Sequence, residues 1–71
     1  MGRKVTEEAT EVLIAARDDA EAQRAAAARD TTRDALAGET ADLLYHALVL
    51  LAERGLDPSA AIDVLRGRHG P

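Results

Sequence analysis

The sequence predicts an all-α fold: a long helical hairpin followed by a short C-terminal helix, which dimerises, or assembles further, into a four-helix bundle. Apolar residues recur three and four positions apart, as on one face of a helix. The chain contains no Phe or Trp and a single Tyr, so its core must be built from Leu, Val, Ile and Ala. With 71 residues there is room for one small domain, which we expect to span residues 1–71.

The first helix is predicted over about residues 4–28. Val5, Ala9, Val12 and Leu13 begin an apolar stripe at helical spacing. Residues 21–29 are rich in Ala, Glu, Gln and Arg, which are strong helix formers. These two stretches favour one long helix with a weakly anchored far end.

A break is predicted at residues 30–32, where Thr31 and Asp34 have the spacing of a capping box. The second helix then covers about residues 32–54. Its segment 43–51 is apolar around nearly the whole circumference, which is typical of a helix buried on several sides. Because one further amphipathic helix and a short one cannot enclose it, burial alone favours self-association, most simply a two-fold dimer.

The third helix is predicted over residues 58–67. Gly55 suits a left-handed residue that ends the second helix. Asp57 and Pro58 are typical of the N-cap and the first position of a helix.

Composition excludes several classes of protein. The absence of Cys rules out disulfide scaffolds and thiolate metal sites. A net charge of −4 argues against a nucleic-acid polymer as partner, and Tyr45 alone cannot provide a base-stacking platform. The longest apolar run, 47–52, is too short to span a bilayer, so a cytoplasmic location is expected.

Two acidic motifs carry the chemical information. Glu8 and Glu11, and likewise Glu39 and Asp42, are three residues apart, which stacks each pair on one helix face. Two such pairs on helices packed together would offer four hard oxygen ligands to Mg²⁺. From the residues alone, a solvated acidic helix face is the commoner explanation of such spacing, and a metal site is the alternative.

The sequences around these motifs closely resemble the signature helices of phosphoribosyl-ATP pyrophosphatases, a family of the all-α, MazG-type nucleoside triphosphate pyrophosphohydrolases. The most specific segments are EEATE at 7–11 and ADLLYH at 41–46, and the C-terminal residues 54–70 are also similar. The resemblance implies Mg²⁺-dependent hydrolysis of phosphoribosyl-ATP to phosphoribosyl-AMP and pyrophosphate, an early step of histidine biosynthesis, with Mn²⁺ as a substitute metal. It also implies a homo-oligomer, at least a dimer.

The resemblance assigns roles to particular residues. It implies that the metal ligands are Glu8, Glu11, Glu39 and Asp42. A carboxylate not fully engaged with metal, Glu8 or Glu11, would be the catalytic base that accepts the proton of the attacking water.

The neighbouring residues keep alternative readings. His46 lies on the acidic face and would bind substrate phosphate or a ligating carboxylate, or be an ordinary surface histidine. Lys4, one turn before Glu8, would meet a phosphate or pair with that carboxylate. Glu7 is either an outer ligand or exposed, and Arg29 is interpreted as a surface residue.

Two departures from the family pattern bear on activity. Family members usually carry a preceding helix and a substrate-contacting loop, and the segment between the acidic motifs, positions 12–38, is longer here than expected. We therefore expect impaired activity from the chain as given. Two rival functions stay open: a house-cleaning pyrophosphohydrolase of another nucleoside triphosphate, and a non-enzymatic helical assembly module.

Overall fold

The computed structural model describes residues 2–70, and all regular structure in that range is α-helical. Helix α1 runs over Gly2–Arg24, α2 over Asp30–Glu53 and α3 over Pro58–His69. Helices α1 and α2 pack against each other as an antiparallel hairpin, whereas α3 contacts only α2, and sparsely. The predicted all-α class, with a long hairpin and a short third helix, is confirmed.

Helix α1 ends four residues earlier than the composition of residues 21–29 predicts. Ala26 adopts a left-handed backbone with φ of 56°. The amide of Ala27 donates to the carbonyl of Ala22 at 2.9 Å, and that of Ala26 donates to Gln23 at 3.1 Å. These two bonds form a Schellman motif, which satisfies the last carbonyls of the helix. Helix propensity at 25–28 is overridden because the chain must turn back here for α2 to pack on α1.

The start of α2 also differs from the prediction. Asp30 is already helical, and the N-cap is Arg29, with no side-chain cap. The expected capping box of Thr31 and Asp34 is therefore wrong. The Thr32 hydroxyl instead lies 2.8 Å from the Asp19 carboxylate and 3.1 Å from the Arg29 carbonyl. A contact between the helices thus replaces the local cap.

The junction between α2 and α3 follows the sequence prediction. Gly55 has φ of 77°, and the amides of Gly55 and Leu56 donate to Ala52 and Leu51 in a second Schellman motif. The Asp57 side chain accepts a hydrogen bond of 2.9 Å from the Ser59 amide, as an N-cap should. Helix α3 continues two residues beyond the predicted end.

The molecule is thin. Its principal extents are 45 × 33 × 14 Å, and a helix with side chains is about 10–12 Å across. The three helices therefore lie in a single layer. Ala15 is the only apolar residue of 2–70 that is buried, and α2 buries no residue at all. The apolar surface of α2 remains uncovered in the single chain.

Taken as a whole, α2 has the length and composition of a helix that can cross a membrane. Its 24 residues include a window of mean hydropathy 1.3, none of which is buried. The sequence-based prediction that no segment spans a membrane rested on the length of the uninterrupted apolar run 47–52 alone. One such helix is weak evidence for a span, because the core helix of a soluble protein has the same length and composition.

Candidate metal centre

Three of the four predicted carboxylates meet at the interface between α1 and α2. Glu8 and Glu11 lie one turn apart on α1, and Glu39 faces them from α2. Each offers a carboxylate oxygen such that the three oxygens lie within 4.8 Å of one another. Glu8 is buried, Glu39 is half-buried and Glu11 is exposed. A cation placed between these oxygens would be ligated from both helices.

Asp42 is not part of this close set. Its side chain is exposed, although its negative charge is near enough to raise the pKa of Glu39. Ligation by Asp42 stays a prediction, and it requires the carboxylate to turn towards the other three. Glu7 is exposed as well, which agrees with one of the two readings given for it.

The negative charge of the Glu39 carboxylate is unfavourable in this cluster. Its Oε2 atom is buried and has no hydrogen-bond partner. A hydrogen bond with the Glu11 carboxylate, which Glu39 can donate only when protonated, raises the pKa of Glu39; burial and the charges of Glu11, Asp42 and Glu8 raise it further. A divalent cation would satisfy the orphaned oxygen and neutralise the clustered charge. The residues present therefore fit Mg²⁺, whose preferred ligands are carboxylate oxygens and water.

His46 contacts this cluster through Glu8. Its Nδ1 atom lies 2.7 Å from Glu8 Oε1 and 3.0 Å from the backbone oxygen of Asp42. Tyr45, exposed beside it, meets the His46 ring edge-on with centroids 5.1 Å apart. Lys4 is exposed, and the partner of Glu8 in the described chain is His46. A phosphate contact by Lys4 stays a prediction.

A cleft of about 360 Å³ opens beside the carboxylates, towards the turn of the hairpin. Glu11 and Glu39 form one end of it, and Glu8 does not line it. The remaining wall combines apolar side chains with hydroxyl groups and one more carboxylate, from Ile14, Ala15, Asp18, Thr31, Thr32 and Ala35. Sequence reasoning missed this cleft, because its lining alternates between two helices whose relative register no local pattern sets.

The turn end of the hairpin is held by a polar cluster that the sequence analysis also missed. The Arg29 guanidinium binds Asp19 in a bidentate pair, with Nε–Oδ1 of 3.0 Å and Nη2–Oδ2 of 2.6 Å. The bonds from Arg29 and from Thr32 lower the pKa of Asp19 to about 2. Arg29 is therefore half-buried and paired, and its interpretation as a plain surface residue was wrong. Its pairing depends on the early turn at Ala26, for which the sequence carries no signal.

Comparison with known proteins assigns the chain to a family. The model of the phosphoribosyl-ATP pyrophosphohydrolase family matches residues 1–69. The phosphoribosyl-ATP pyrophosphatase of Streptococcus thermophilus is 41% identical over 68 residues, covering 96% of this chain and 54% of that protein. The phosphoribosyl-ATP pyrophosphatase of Pelotomaculum thermopropionicum is 46% identical over 67 residues, covering 94% and 56%.

A second kind of relative carries two activities in its name. The histidine biosynthesis bifunctional protein HisIE of Deinococcus radiodurans is 44% identical over 68 residues, 96% of this chain and 26% of that protein. The chain thus spans about half the length of the pyrophosphatases above and about a quarter of the bifunctional protein. No solved structure matches it significantly. The match over nearly the whole chain, on the helices that bring Glu8, Glu11 and Glu39 together, shows that the chain belongs to the phosphoribosyl-ATP pyrophosphohydrolase family.

Proposed function

We propose that this protein hydrolyses phosphoribosyl-ATP to phosphoribosyl-AMP and pyrophosphate, with Mg²⁺ bound by Glu8, Glu11, Glu39 and Asp42. The observation that carries the proposal is the buried, unpartnered Oε2 of Glu39, within a set of carboxylates whose ligand oxygens lie within 4.8 Å. Family relatives named phosphoribosyl-ATP pyrophosphatase support the choice of substrate. A cytoplasmic location is part of the proposal, since the reaction belongs to histidine biosynthesis.

The residues of the site have two kinds of role: some bind the metal and the phosphates, and one accepts a proton. Bound Mg²⁺ supplies positive charge to the triphosphate oxygens and acidifies coordinated water. Glu8, buried and held by His46, serves as a fixed ligand. Glu11 is exposed and lines the cleft, which supports its assignment as the base: a carboxylate oxygen that is not engaged with metal accepts the proton of the water that attacks phosphorus. Lys4, exposed on the same helix face, meets the phosphate chain.

The cleft beside Glu11 and Glu39 receives the organic part of the nucleotide. Its volume of about 360 Å³ lies in the range of small-molecule sites. Ile14 and Ala35 offer apolar contact, and the hydroxyls of Thr31 and Thr32 offer hydrogen bonds. The triphosphate then extends from the cleft towards the carboxylates.

We propose in addition that the working form is at least a homodimer. Leu44 is 58% exposed and Leu48 39% exposed on α2. The thickness of 14 Å means that both faces of the layer are open to solvent. Pairing two hairpins would cover α2 and give the four-helix bundle that burial requires. The same uncovered surface favours the rival function of a helical assembly module without catalysis.

The direct test compares hydrolysis by wild type, Glu39→Gln and Glu53→Gln in the presence of Mg²⁺. Glu53 is an exposed glutamate at the C-terminal end of α2, so its variant is a matched control for the loss of one charge. We expect Glu39→Gln to lose activity by orders of magnitude and Glu53→Gln to match wild type, with pyrophosphate release as the measurement. Equal activity of Glu39→Gln and wild type would contradict the proposal.

The substrate is tested separately with a panel of ordinary and modified nucleoside triphosphates. Preference for phosphoribosyl-ATP is the expected result. Faster release of pyrophosphate from another triphosphate would replace the substrate and keep the reaction. A protein that associates but releases no pyrophosphate from any member of the panel would favour the assembly module.

A further inference from the structure

The imidazole of His46 is held at one ring nitrogen. Nδ1 lies 2.7 Å from Glu8 Oε1 and 3.0 Å from the Asp42 backbone oxygen. Both neighbours accept hydrogen bonds, so Nδ1 must carry the proton. The Glu8 side chain is only 7% exposed and that of His46 20% exposed, which makes this hydrogen bond well shielded from water.

We propose that His46 is a positioning residue, whose Nδ1–H group fixes the Glu8 carboxylate in its metal-binding orientation. This inference rests on the proposed metal site. Of the three readings that the sequence left open for His46, it selects contact with a ligating carboxylate over the binding of substrate phosphate. The nitrogens of His46 lie outside the set of oxygens that approach within 4.8 Å of one another, so its effect is exerted through Glu8.

The location of the bond gives the positioning its physical basis. Glu8 is on α1, whereas His46 and Asp42 are on α2. The Asp42 carbonyl orients the imidazole from its own helix, and the imidazole then orients a carboxylate of the other helix. A histidine held in this way restricts the rotamers of Glu8 before any cation binds. Partners of this kind typically change metal affinity by about 10–100-fold when they are removed.

Asparagine and glutamine can separate positioning from substrate binding, because they imitate different nitrogens of histidine. The amide nitrogen of Asn occupies the place of Nδ1, and that of Gln occupies the place of Nε2. Positioning requires a donor at the first place. A contact with substrate phosphate would use Nε2, since Nδ1 is already engaged by Glu8 and Asp42.

The experiment is a calorimetric titration of Mn²⁺ into wild type, His46→Asn, His46→Gln, His46→Ala and Glu39→Gln, without substrate. His69→Ala is the matched control, because His69 is the other histidine and is exposed on α3. We expect His46→Asn and His69→Ala to bind Mn²⁺ nearly as wild type does. We expect His46→Gln and His46→Ala to bind about 10–100-fold more weakly, with helicity by circular dichroism unchanged.

Two other results would overturn the positioning role, and a third would overturn the metal site. Wild-type affinity in His46→Ala overturns the positioning role. Retained affinity in His46→Gln with loss in His46→Asn assigns the effect to Nε2, and also overturns it. If Glu39→Gln and wild type respond equally to Mn²⁺, the metal site itself fails, which is distinct from a failure confined to the His46 variants.

Discussion

At the scale of single residues, Glu39 shows why a carboxylate cluster is costly without a cation. Its pKa is raised by the hydrogen bond with Glu11, by burial and by the surrounding negative charges. A folded-state pKa above the unfolded value means that the folded state binds the proton more tightly. The free energy of unfolding of the metal-free protein must therefore fall as pH rises through this pKa.

The change Glu39→Gln removes this penalty. We expect the metal-free variant to be as stable as wild type or more stable at neutral pH, because clustered like charges are relieved. The loss of stability that we expect of wild type above the ordinary pKa range of glutamate should be absent or reduced in the variant. Thermal unfolding between pH 4 and pH 8, with metal removed by chelation, measures both effects. A variant that is clearly less stable than wild type at neutral pH would contradict this account.

The pKa of Asp19 shifts in the opposite direction, so its effect on the pH dependence of stability is also opposite. Hydrogen bonds from Arg29 and Thr32 lower its pKa from 3.8 to about 2, so the ionised form stabilises the fold. That contribution is fully present above pH about 4 and is lost as pH falls towards 2.

We expect Asp19→Asn to be less stable than wild type at neutral pH. The difference should shrink between pH 4 and pH 2, because wild type loses the ion pair there. Acid unfolding followed by circular dichroism measures this, and Asp18→Asn, an exposed neighbour, is the control that should unfold as wild type does. Parallel acid curves for wild type and Asp19→Asn would mean that the pair does not stabilise the hairpin.

At the scale of elements, two helices end in the same motif with different residues at the left-handed position. Helix α2 ends at Gly55 with φ of 77°, and α1 ends at Ala26 with φ of 56°. A residue with a side chain loses about 1–2 kcal/mol of stability in this left-handed conformation, whereas glycine adopts it without that loss. Helix α1 therefore ends with backbone strain that α2 avoids.

This difference predicts reciprocal substitutions. Gly55→Ala should destabilise the protein by about 1–2 kcal/mol, although nothing lies within 4 Å of the added methyl group. Ala26→Gly should stabilise it by about 0.5–1 kcal/mol, because the relief of strain exceeds the added freedom of the unfolded chain. Gly38→Ala, inside α2 with open space at its Cβ position, should stabilise by about 0.5–1 kcal/mol. Urea unfolding at a fixed protein concentration checks the signs, and a gain from Gly55→Ala would refute the argument.

At the scale of the whole molecule, a layer 14 Å thick cannot bury an apolar helix. Leu44, Tyr45 and Leu48 are all exposed on α2. If a second chain covers them, as we propose, folding and association share one free energy. If the chain stays single, these side chains contribute little.

Leu44→Ala separates the two cases. In a dimer, it should leave a cavity that costs about 2–5 kcal/mol and shift the protein towards dissociated chains. In a single chain, a side chain that is 58% exposed leaves no cavity, and the stability change should stay within about 0.5 kcal/mol. Sedimentation equilibrium combined with thermal unfolding tells which holds. A folded wild-type monomer at micromolar concentration would contradict the proposed assembly.

The sequence by itself determined the features that depend on near neighbours along the chain. Helix periodicity, the left-handed Gly55, the Asp57 cap and the stacking of Glu8 with Glu11 all follow from local spacing and conformational preference, and the structure agrees with them. The signature segments likewise pointed to the family whose model matches the chain.

Only the tertiary structure decided what crosses between the helices. It ended α1 at Arg24 against the helix propensity of the next residues, paired Asp19 with Arg29, and set His46 against Glu8. It also drew Glu39 to Glu8 and Glu11 and left Asp42 exposed. The physical reason is that such contacts depend on the register of α1 against α2. That register is fixed by the geometry of one turn and by the packing of two faces, which no local pattern encodes.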